Sequence, residues 1–379
     1  MRVIMMRPPL HIVFTGGGTG GHLFPALAVA TTLGREVSRL RITFAGSGKE
    51  FERRHVLAAK LEYLALRCRP VPRRLHQVLS FVSDNLAGYR TARRFLREQH
   101  VAAVVGLGGY ASAPMARAAT AEKIPLILLE QNVVPGKATR WMARRATLVC
   151  TAFEQTGRQL RRRCPWRVTG TPIRDGFARR RAAAWPENRL LVLGGSGGAR
   201  SLNENVPRAL YKVGSRLTGW WIVHQSGGRD LDATRRLYLK LGLRATVTDF
   251  LGDMPGELTA ADLAVCRSGG TTLAELAAAG VPAVLLPYPY AAGDHQRKNA
   301  ELYAAAGGSR LLGNREMAHR LDDHLASVLS ELLDAPAQRA AMSSAMRRLA
   351  RPHAAADVAA LILEVIAGQP HRGAMPAAA

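Results

Sequence analysis

Three glycine-rich turns decide the fold of this chain: Gly16-Gly17-Gly18-Thr19-Gly20-Gly21-His22, Gly194-Gly195-Ser196-Gly197-Gly198 and Ser268-Gly269-Gly270-Thr271-Thr272. Each turn follows a short apolar run and precedes a stretch with a helical pattern. Glycine lets backbone N–H groups approach a ligand closely, and the start of the following helix favours an anion. Three such turns in two successive α/β series predict a protein that binds a phosphorylated donor between two domains.

Apolar runs of strand length alternate with helical segments along both halves of the chain. The predicted strands are His11–Thr15, Arg41–Ala45, Tyr63–Arg67, Ala103–Gly106, Leu126–Leu129, Thr147–Thr151, Arg167–Thr169, Leu190–Leu193, Trp221–Gln225, Thr246–Phe250, Leu263–Cys266 and Ala283–Leu286. Such alternation is typical of parallel sheets that helices cover on both faces. We therefore predict two Rossmann-like, doubly wound α/β domains that face a cleft.

The join between the domains is expected near Gly170–Arg189, because the second series of strands begins after the polar stretch Arg179–Asn188. We expect residues 1–172 to form an N-terminal domain and residues 173–350 a C-terminal domain. A helix over 351–367 is expected to pack back on the N-terminal domain. The last residues, 368–379, are rich in Pro, Ala and Gly and are expected to be disordered.

Composition excludes several classes of protein. The chain has 379 residues, of which 47% are hydrophobic, and its four cysteines lie far apart without a CxxC pair. This pattern argues against a disulfide framework and against a zinc site. No apolar stretch approaches the roughly 18–20 residues that span a bilayer, and Met1–His11 lacks the apolar core of a signal peptide. We expect a cytosolic or peripheral protein.

The formal net charge of +25 indicates an anionic partner, which nucleic acid, an acidic membrane surface or a phosphorylated substrate would each provide. Nucleic-acid binding favours aromatic residues interleaved with basic ones for stacking on bases. Aromatic residues make up only 6% of the chain, and no such pattern occurs. We therefore expect no nucleic-acid partner.

Further polar groups end predicted strands at the same sheet edges. Gly106–Pro114 forms a second glycine turn in the first half, and Glu130-Gln131-Asn132 follows the next strand. Ligands bind open α/β sheets at the carboxyl ends of their strands, so these groups are expected to share one cleft. The alternatives are ordinary turns that need glycine, a capping role for His22 and an Asx turn at Asn132.

Taken in order, these motifs resemble the MurG family of glycosyltransferases. The resemblance rests on GGGTGGHLFPALAVA, GLGGYASAP, LEQN, TGTPIR, GGSGGA, CRSGGTTLAELAAAG and HQRKNA, and it covers nearly the whole chain. It implies the two-domain GT-B fold and inverting transfer of N-acetylglucosamine from UDP-N-acetylglucosamine to the C4 hydroxyl of the MurNAc sugar of lipid I. The product is lipid II for peptidoglycan synthesis. A lipid glycosyltransferase with another acceptor and a UDP-N-acetylglucosamine epimerase are the alternatives, against which the GGTGGH and GGYAS turns argue.

The resemblance also implies roles for individual residues. His22 is the predicted general base, with Glu130 as its rival, and Tyr110 lies on the acceptor side. Two positions depart from the family pattern: Leu129 replaces a frequent histidine, and Gly197 replaces a glutamine or another side chain. The implied donor-binding residues are Thr19, Gly20, Gly21, Asn132, Arg174, Ser196, Leu251, Gly270, Thr271, Thr272, Leu273, Ala274, Glu275 and Gln296.

We predict no metal cofactor, because helix N-termini and Arg174 can stabilise the departing UDP. Metal-dependent glycosyltransferases usually carry an Asp-x-Asp motif. The one match here, Asp230-Leu231-Asp232, follows Gly227-Gly228 and is expected to cap a helix.

A lipid-linked acceptor implies a peripheral enzyme at the cytoplasmic face of the bacterial inner membrane, with lipid I and anionic lipids as partners. Proteins of cell-wall synthesis and division are candidate partners. An apolar cluster lies between Arg73-Arg74 and Arg93-Arg94 and is typical of a membrane-contacting segment. We predict membrane contact through Leu75, Leu79, Phe81 and Val82; the alternative is a helix that buries these residues in the core.

Overall fold

The computed structural model describes residues 9–18, 20–72, 74–160, 164–177, 187–195, 197–313 and 320–368. The chain divides into two compact units. Unit 1 comprises Met1–Pro172 and His353–Ala379, and unit 2 comprises Ile173–Pro352. Most of the tail predicted to be disordered, residues 369–379, lies outside the described residues.

Unit 1 is built on a parallel sheet of seven strands in the order β3-β2-β1-β4-β5-β6-β7. Its strands are β1 (Leu10–Thr15), β2 (Leu40–Gly46), β3 (Glu62–Ala65), β4 (Ala103–Gly106), β5 (Leu126–Glu130), β6 (Leu148–Thr151) and β7 (Trp166–Val168). Its helices are α1 (Gly20–Glu36), α2 (Glu50–Ala58), α3 (Val78–Glu98), α4 (Ala113–Ala121), α5 (Lys137–Met142), α6 (Glu154–Arg158) and, near the C-terminus, α14 (Ala354–Ile366). The strand order reverses between β1 and β4, which is the switch point where such sheets bind ligands.

The core of unit 1 lies on both faces of this sheet. Side chains of β1 alternate between two apolar clusters, with Ile12 and Phe14 on one face and Val13 on the other. Helix α14 packs against α1, and its residues Val358 and Ile362 are fully buried. The last described helix of the chain therefore completes the core around the first strand.

Unit 2 has a parallel sheet of six strands in the order β10-β9-β8-β11-β12-β13. Its strands are β8 (Arg189–Leu193), β9 (Trp221–Gln225), β10 (Thr246–Thr248), β11 (Leu263–Cys266), β12 (Ala283–Leu285) and β13 (Ser309–Leu311). Its helices are α7 (Arg200–Val213), α8 (Leu231–Lys240), α9 (Met254–Ala260), α10 (Gly270–Ala279), α11 (His295–Ala305), α12 (Leu321–Leu333) and α13 (Pro336–Leu349). Two parallel, helix-covered sheets confirm the predicted fold class.

The predicted strands agree with the observed ones to within one or two residues at each end, and β13 is the strand that sequence reasoning missed. Helix α3 begins at Val78, so it includes most of the apolar cluster. Among the described residues, no helix is both long enough and apolar enough to span a bilayer.

Candidate active site

Gly16 and Gly17, in the first glycine-rich turn of unit 1, have no room for side chains. Gly17 and Gly18 adopt φ angles of +138° and +95°, in the region that only glycine enters readily. A methyl group on Gly16 would lie 2.8 Å from Cβ of Leu107, in the turn that follows β4. Helix α1 begins at Gly20, so the predicted strand, turn and helix start are all present. Thr19 lies outside the described residues.

His22 lies in the first turn of α1, against the second glycine turn. A methyl group placed on Gly108 would lie 3.8 Å from Nε2 of His22, and one on Gly109 would lie 3.8 Å from Cε1. The ring therefore packs over two glycines, both of which have positive φ angles. Tyr110 follows directly, at the start of a short 3-10 helix. The structure thus places the predicted base beside the turn that leads into Tyr110.

Glu130 ends β5 and binds the loop that follows. One carboxylate oxygen, Oε1, accepts hydrogen bonds from the backbone N–H and the side-chain Nδ2 of Asn132, at 3.2 and 3.0 Å. The other, Oε2, accepts from Gly136 N at 2.9 Å. Both oxygens are thus engaged in shaping the loop of residues 131–136. This geometry favours a role in orienting Asn132 over a role as general base.

The glycine turn of unit 2 packs against the loop after β9. Gly198 has a φ of +73°, and a methyl group on it would overlap the carbonyl oxygen of Ser226. Helix α7 begins at Arg200, two residues beyond this contact. The turn therefore requires glycine for backbone packing. Ser196, a predicted donor-binding residue, lies outside the described residues.

A buried polar network that sequence reasoning missed supports this turn through Ser226, in the loop after β9. Oδ1 of Asn203 accepts from Nε2 of His224 at 3.1 Å, and Nδ1 of His224 accepts from Tyr238 at 2.9 Å. Nδ2 of Asn203 donates to the carbonyl of Ser226. Burial lowers the pKa of His224 to about 3, so the ring stays neutral and holds this tautomer.

Asp230 takes part in the same network. It has the predicted position before a helix, α8, but its side chain does not cap that helix. Oδ2 instead accepts from Nδ2 of Asn203 at 3.1 Å. No cluster of three or more His, Cys, Asp or Glu side chains suited to a metal ion occurs among the residues described.

The third glycine turn leads into α10, which begins at Gly270 as expected. Glu275 lies one turn further on and is buried. Its Oε1 accepts a hydrogen bond from Nη2 of Arg174 at 3.3 Å. Two residues predicted to bind the sugar donor are therefore in contact, although they lie 101 residues apart in the sequence. Burial raises the pKa of Glu275 to about 7, and the nearby Arg174 opposes this rise. The alternative of a solvated helix glutamate is therefore wrong.

Gln296 and Asn299, both in α11, form hydrogen bonds with Ser268 in the third glycine turn. Ser268 Oγ donates to the backbone oxygen of Gln296 at 2.7 Å, and Asn299 Nδ2 donates to the backbone oxygen of Ser268 at 3.1 Å. Oε1 of Gln296 accepts from the backbone N–H of Tyr288 at 2.9 Å. The predicted donor-binding residue Gln296 and its neighbour Asn299 thus both contact the site loops.

The remaining predicted donor residues divide between surface and core. Thr272 and Ala274 are partly exposed, whereas Leu273 and Leu251 have buried side chains. Any contact from these two leucines to a ligand would therefore come from the backbone.

The predicted membrane segment is exposed. Leu75, Leu79 and Val82 are 91%, 84% and 53% exposed, so the alternative that they belong to the core is wrong. Phe81 differs from them, because its side chain is partly buried. Arg69, Arg74 and Arg90 lie along the same segment and keep it basic.

Two family profiles match this chain. Residues 12–151 match the glycosyltransferase family 28 N-terminal domain, and residues 189–358 match the family 28 C-terminal domain. The UDP-N-acetylglucosamine–N-acetylmuramyl-(pentapeptide) pyrophosphoryl-undecaprenol N-acetylglucosamine transferase of Stutzerimonas stutzeri is 37% identical over 364 residues, which cover 94% of this chain and 99% of the relative. The transferase of the same name from Methylococcus capsulatus is 39% identical, covering 93% and 98%.

A solved structure agrees with these relatives. The crystal structure of Acinetobacter baumannii MurG superposes with a TM-score of 0.72 at 31% identity, covering 94% of this chain and 100% of that one. The chain belongs to the MurG family. The predicted family and the prediction of a glycosyltransferase are confirmed. Membership in the MurG family disfavours the epimerase alternative, and the site residues of this chain remain predictions.

Proposed function

We propose that this MurG-family chain transfers N-acetylglucosamine from UDP-N-acetylglucosamine to lipid I, giving lipid II for peptidoglycan synthesis. The observation that carries this proposal is full-length similarity to transferases named for that reaction, at 37–39% identity and with 98–99% of each relative covered. Both halves of the family pattern are present in one chain. The names of the relatives suggest the substrates. The geometry of the site supports separate roles for the residues on the donor side and on the acceptor side.

On the donor side, uridine and diphosphate would bind at the start of α10. Backbone N–H groups at Gly270 and Thr271 begin a helix whose N-terminus favours negative charge. Glu275 would accept hydrogen bonds from the ribose hydroxyls, and Arg174 beside it would balance the charge of the diphosphate. The same groups stabilise UDP as it departs with additional negative charge.

On the acceptor side, the C4 hydroxyl oxygen of the MurNAc sugar attacks the anomeric carbon of the donor. A new C–O bond forms with inversion, the bond to UDP breaks, and the hydroxyl proton passes to a base. We assign that base to His22, because both oxygens of Glu130 accept hydrogen bonds from the loop that carries Asn132. Glu130 would then act by orienting Asn132.

The exposed apolar segment would attach the enzyme to the cytoplasmic face of the inner membrane, where a lipid-linked acceptor resides. Leu75, Leu79 and Val82 offer apolar surface, and the surrounding arginines suit anionic lipid headgroups. We propose Phe81 as a lesser contact because it is partly buried. Cell-wall and division proteins remain proposed partners.

An acceptor panel tests the reaction. Labelled UDP-N-acetylglucosamine is incubated with a short-chain lipid I analogue, with undecaprenyl phosphate or with buffer, each with and without a chelator. We expect product from the lipid I analogue alone, at equal rates in both conditions, because no step assigned here uses a metal. Product from undecaprenyl phosphate would favour the alternative of a different acceptor, and chelator inhibition would contradict the prediction of no metal.

A further inference from the structure

Glu52 is a buried carboxylate with no role assigned so far. It lies in the first turn of α2 and is only 1% exposed. Four hydrogen bonds surround it. Oε1 accepts from Gly18 N and Ser47 Oγ, both at 2.7 Å, and Oε2 accepts from Ser47 N and Tyr63 OH, both at 2.8 Å. The side chain therefore joins the loop after β2 to the first glycine turn.

The bond to Gly18 N fixes the direction of a peptide group. In a trans peptide the N–H and the C=O point in opposite directions, so holding Gly18 N–H toward Glu52 points the carbonyl of Gly17 away from it. That carbonyl oxygen lies 3.5 Å from the position of a methyl group on Gly109, and Nδ1 of His22 lies 4.0 Å from the same position. The carbonyl and the imidazole ring thus converge on the second glycine turn.

Glycine alone would leave this peptide free to rotate. Gly16, Gly17 and Gly18 are consecutive, and none has a side chain that restricts its backbone. An external anchor is therefore needed for one orientation to persist. Glu52 provides it from a buried position, and a carboxylate bond to a backbone N–H is of the stronger, charge-assisted kind.

We propose that Glu52 is a positioning residue for the transfer reaction. It holds the Gly17–Gly18 peptide in the orientation that shapes the surroundings of His22 and the start of α1. This role rests on the proposed function, since it acts through the residue assigned as the base. It predicts that losing the bond to Gly18 slows turnover while leaving nucleotide binding in unit 2 unchanged.

Glutamine is the informative substitution at this position. Each oxygen of Glu52 accepts one backbone N–H, from Gly18 at Oε1 and from Ser47 at Oε2. A glutamine side chain has one acceptor and one donor end, so its NH2 group must face one of these two N–H groups. The substitution keeps the size of the side chain and removes the hydrogen bond from either Gly18 N or Ser47 N.

Tyr63→Phe is the matched control for Glu52→Gln. It removes one hydrogen bond from Oε2, together with the bond from Gly48 N to Tyr63 OH, but it leaves the Gly18 bond intact. We expect kcat to fall about 100-fold in Glu52→Gln, as for other small misplacements of reacting groups. We expect about a twofold change or less in Tyr63→Phe, and an unchanged Kd for UDP in both variants. Deuterium exchange at the Gly18 amide shows whether the glutamine has released Gly18; where it has not, Glu52→Asp takes its place. Equal kcat values in Tyr63→Phe and in the variant that releases Gly18 would overturn the proposal.

Two further measurements separate this role from folding and from the proposed function. If Glu52→Gln does not fold, Glu52→Asp retracts the carboxylate by one methylene and serves in the same assay. In the wild-type protein, the Gly18 amide should exchange with deuterium as slowly as helix amides, although it lies in a turn. Fast exchange would refute the anchor itself. A wild-type protein with slow exchange but no transfer to lipid I would refute the proposed function instead.

Discussion

Donor binding should depend on pH through Glu275, and Glu275→Gln should remove that dependence. Burial raises the pKa of this carboxyl group to about 7, with Arg174 acting in the opposite direction. Two ribose hydroxyls need acceptors at both oxygens, which the carboxylate offers and the protonated acid does not. Affinity for UDP-N-acetylglucosamine is therefore expected to rise as the pH rises through 7.

The size of the effect follows from this pKa. With a value of about 7, the ionised fraction increases from about one eleventh at about pH 6 to about ten elevenths at about pH 8. If the ionised form alone binds, Kd falls about tenfold over that range. Folding stability runs the other way: a raised pKa means that the folded state holds the proton more tightly, so stability declines as the pH rises from about 4.5 to about 7.

Calorimetric titration with UDP-N-acetylglucosamine provides the assay, because this pyrophosphate diester has no phosphate that titrates near pH 7. Wild type, Glu275→Gln and the control Glu301→Gln are compared at about pH 6 and about pH 8. Glu301 is a surface carboxylate paired with Arg297 and Lys298, so its loss should leave the tenfold change intact. A Glu275→Gln variant with the wild-type pH dependence would refute the reasoning.

Three other predictions concern the turns and the exposed segment. His22→Ala should lower kcat by about 100-fold or more while UDP binding persists, and near-normal turnover would remove His22 from the role of base. Gly198→Ala should lower the free energy of unfolding by about 1–3 kcal/mol in urea titrations, because its Cβ would overlap the carbonyl of Ser226; an unchanged midpoint would contradict this. Leu79→Glu should abolish sedimentation with anionic vesicles, whereas Leu239→Glu, at a leucine of unit 2 that is also largely exposed, should not.

Much of the fold was predictable because parallel strands buried on both faces appear as continuous apolar runs. Strand β4 and strand β11 have the bounds that their sequences suggested. Strand β13 escaped notice because it has three residues, Ser309–Leu311, with an exposed arginine in the middle. Its position beside β12 supplies the pairing that makes it a strand.

The parts of the site that lie in glycine-rich motifs could be predicted from the sequence. The parts that depend on contacts between distant residues could not. Sequence motifs located His22 and Glu275, but no local pattern reveals that Arg174 reaches Glu275. Glu52 lies in the run Lys49–His55, which is polar except for Phe51 and has the composition of a solvated helix. Its burial depends on Ser47 and Tyr63 and on the folding of the glycine turn around it.

The most direct test of the central claim uses two lipid I analogues that differ only in the C4 hydroxyl of the MurNAc sugar. With the hydroxyl present, mass spectrometry should show the addition of one N-acetylhexosamine. In the NMR spectrum of this product, the coupling between the anomeric proton and the neighbouring ring proton should show a β linkage. With the 4-deoxy analogue, no product should form although UDP still binds. A product from the 4-deoxy analogue, or an α linkage, would contradict inverting transfer to that hydroxyl.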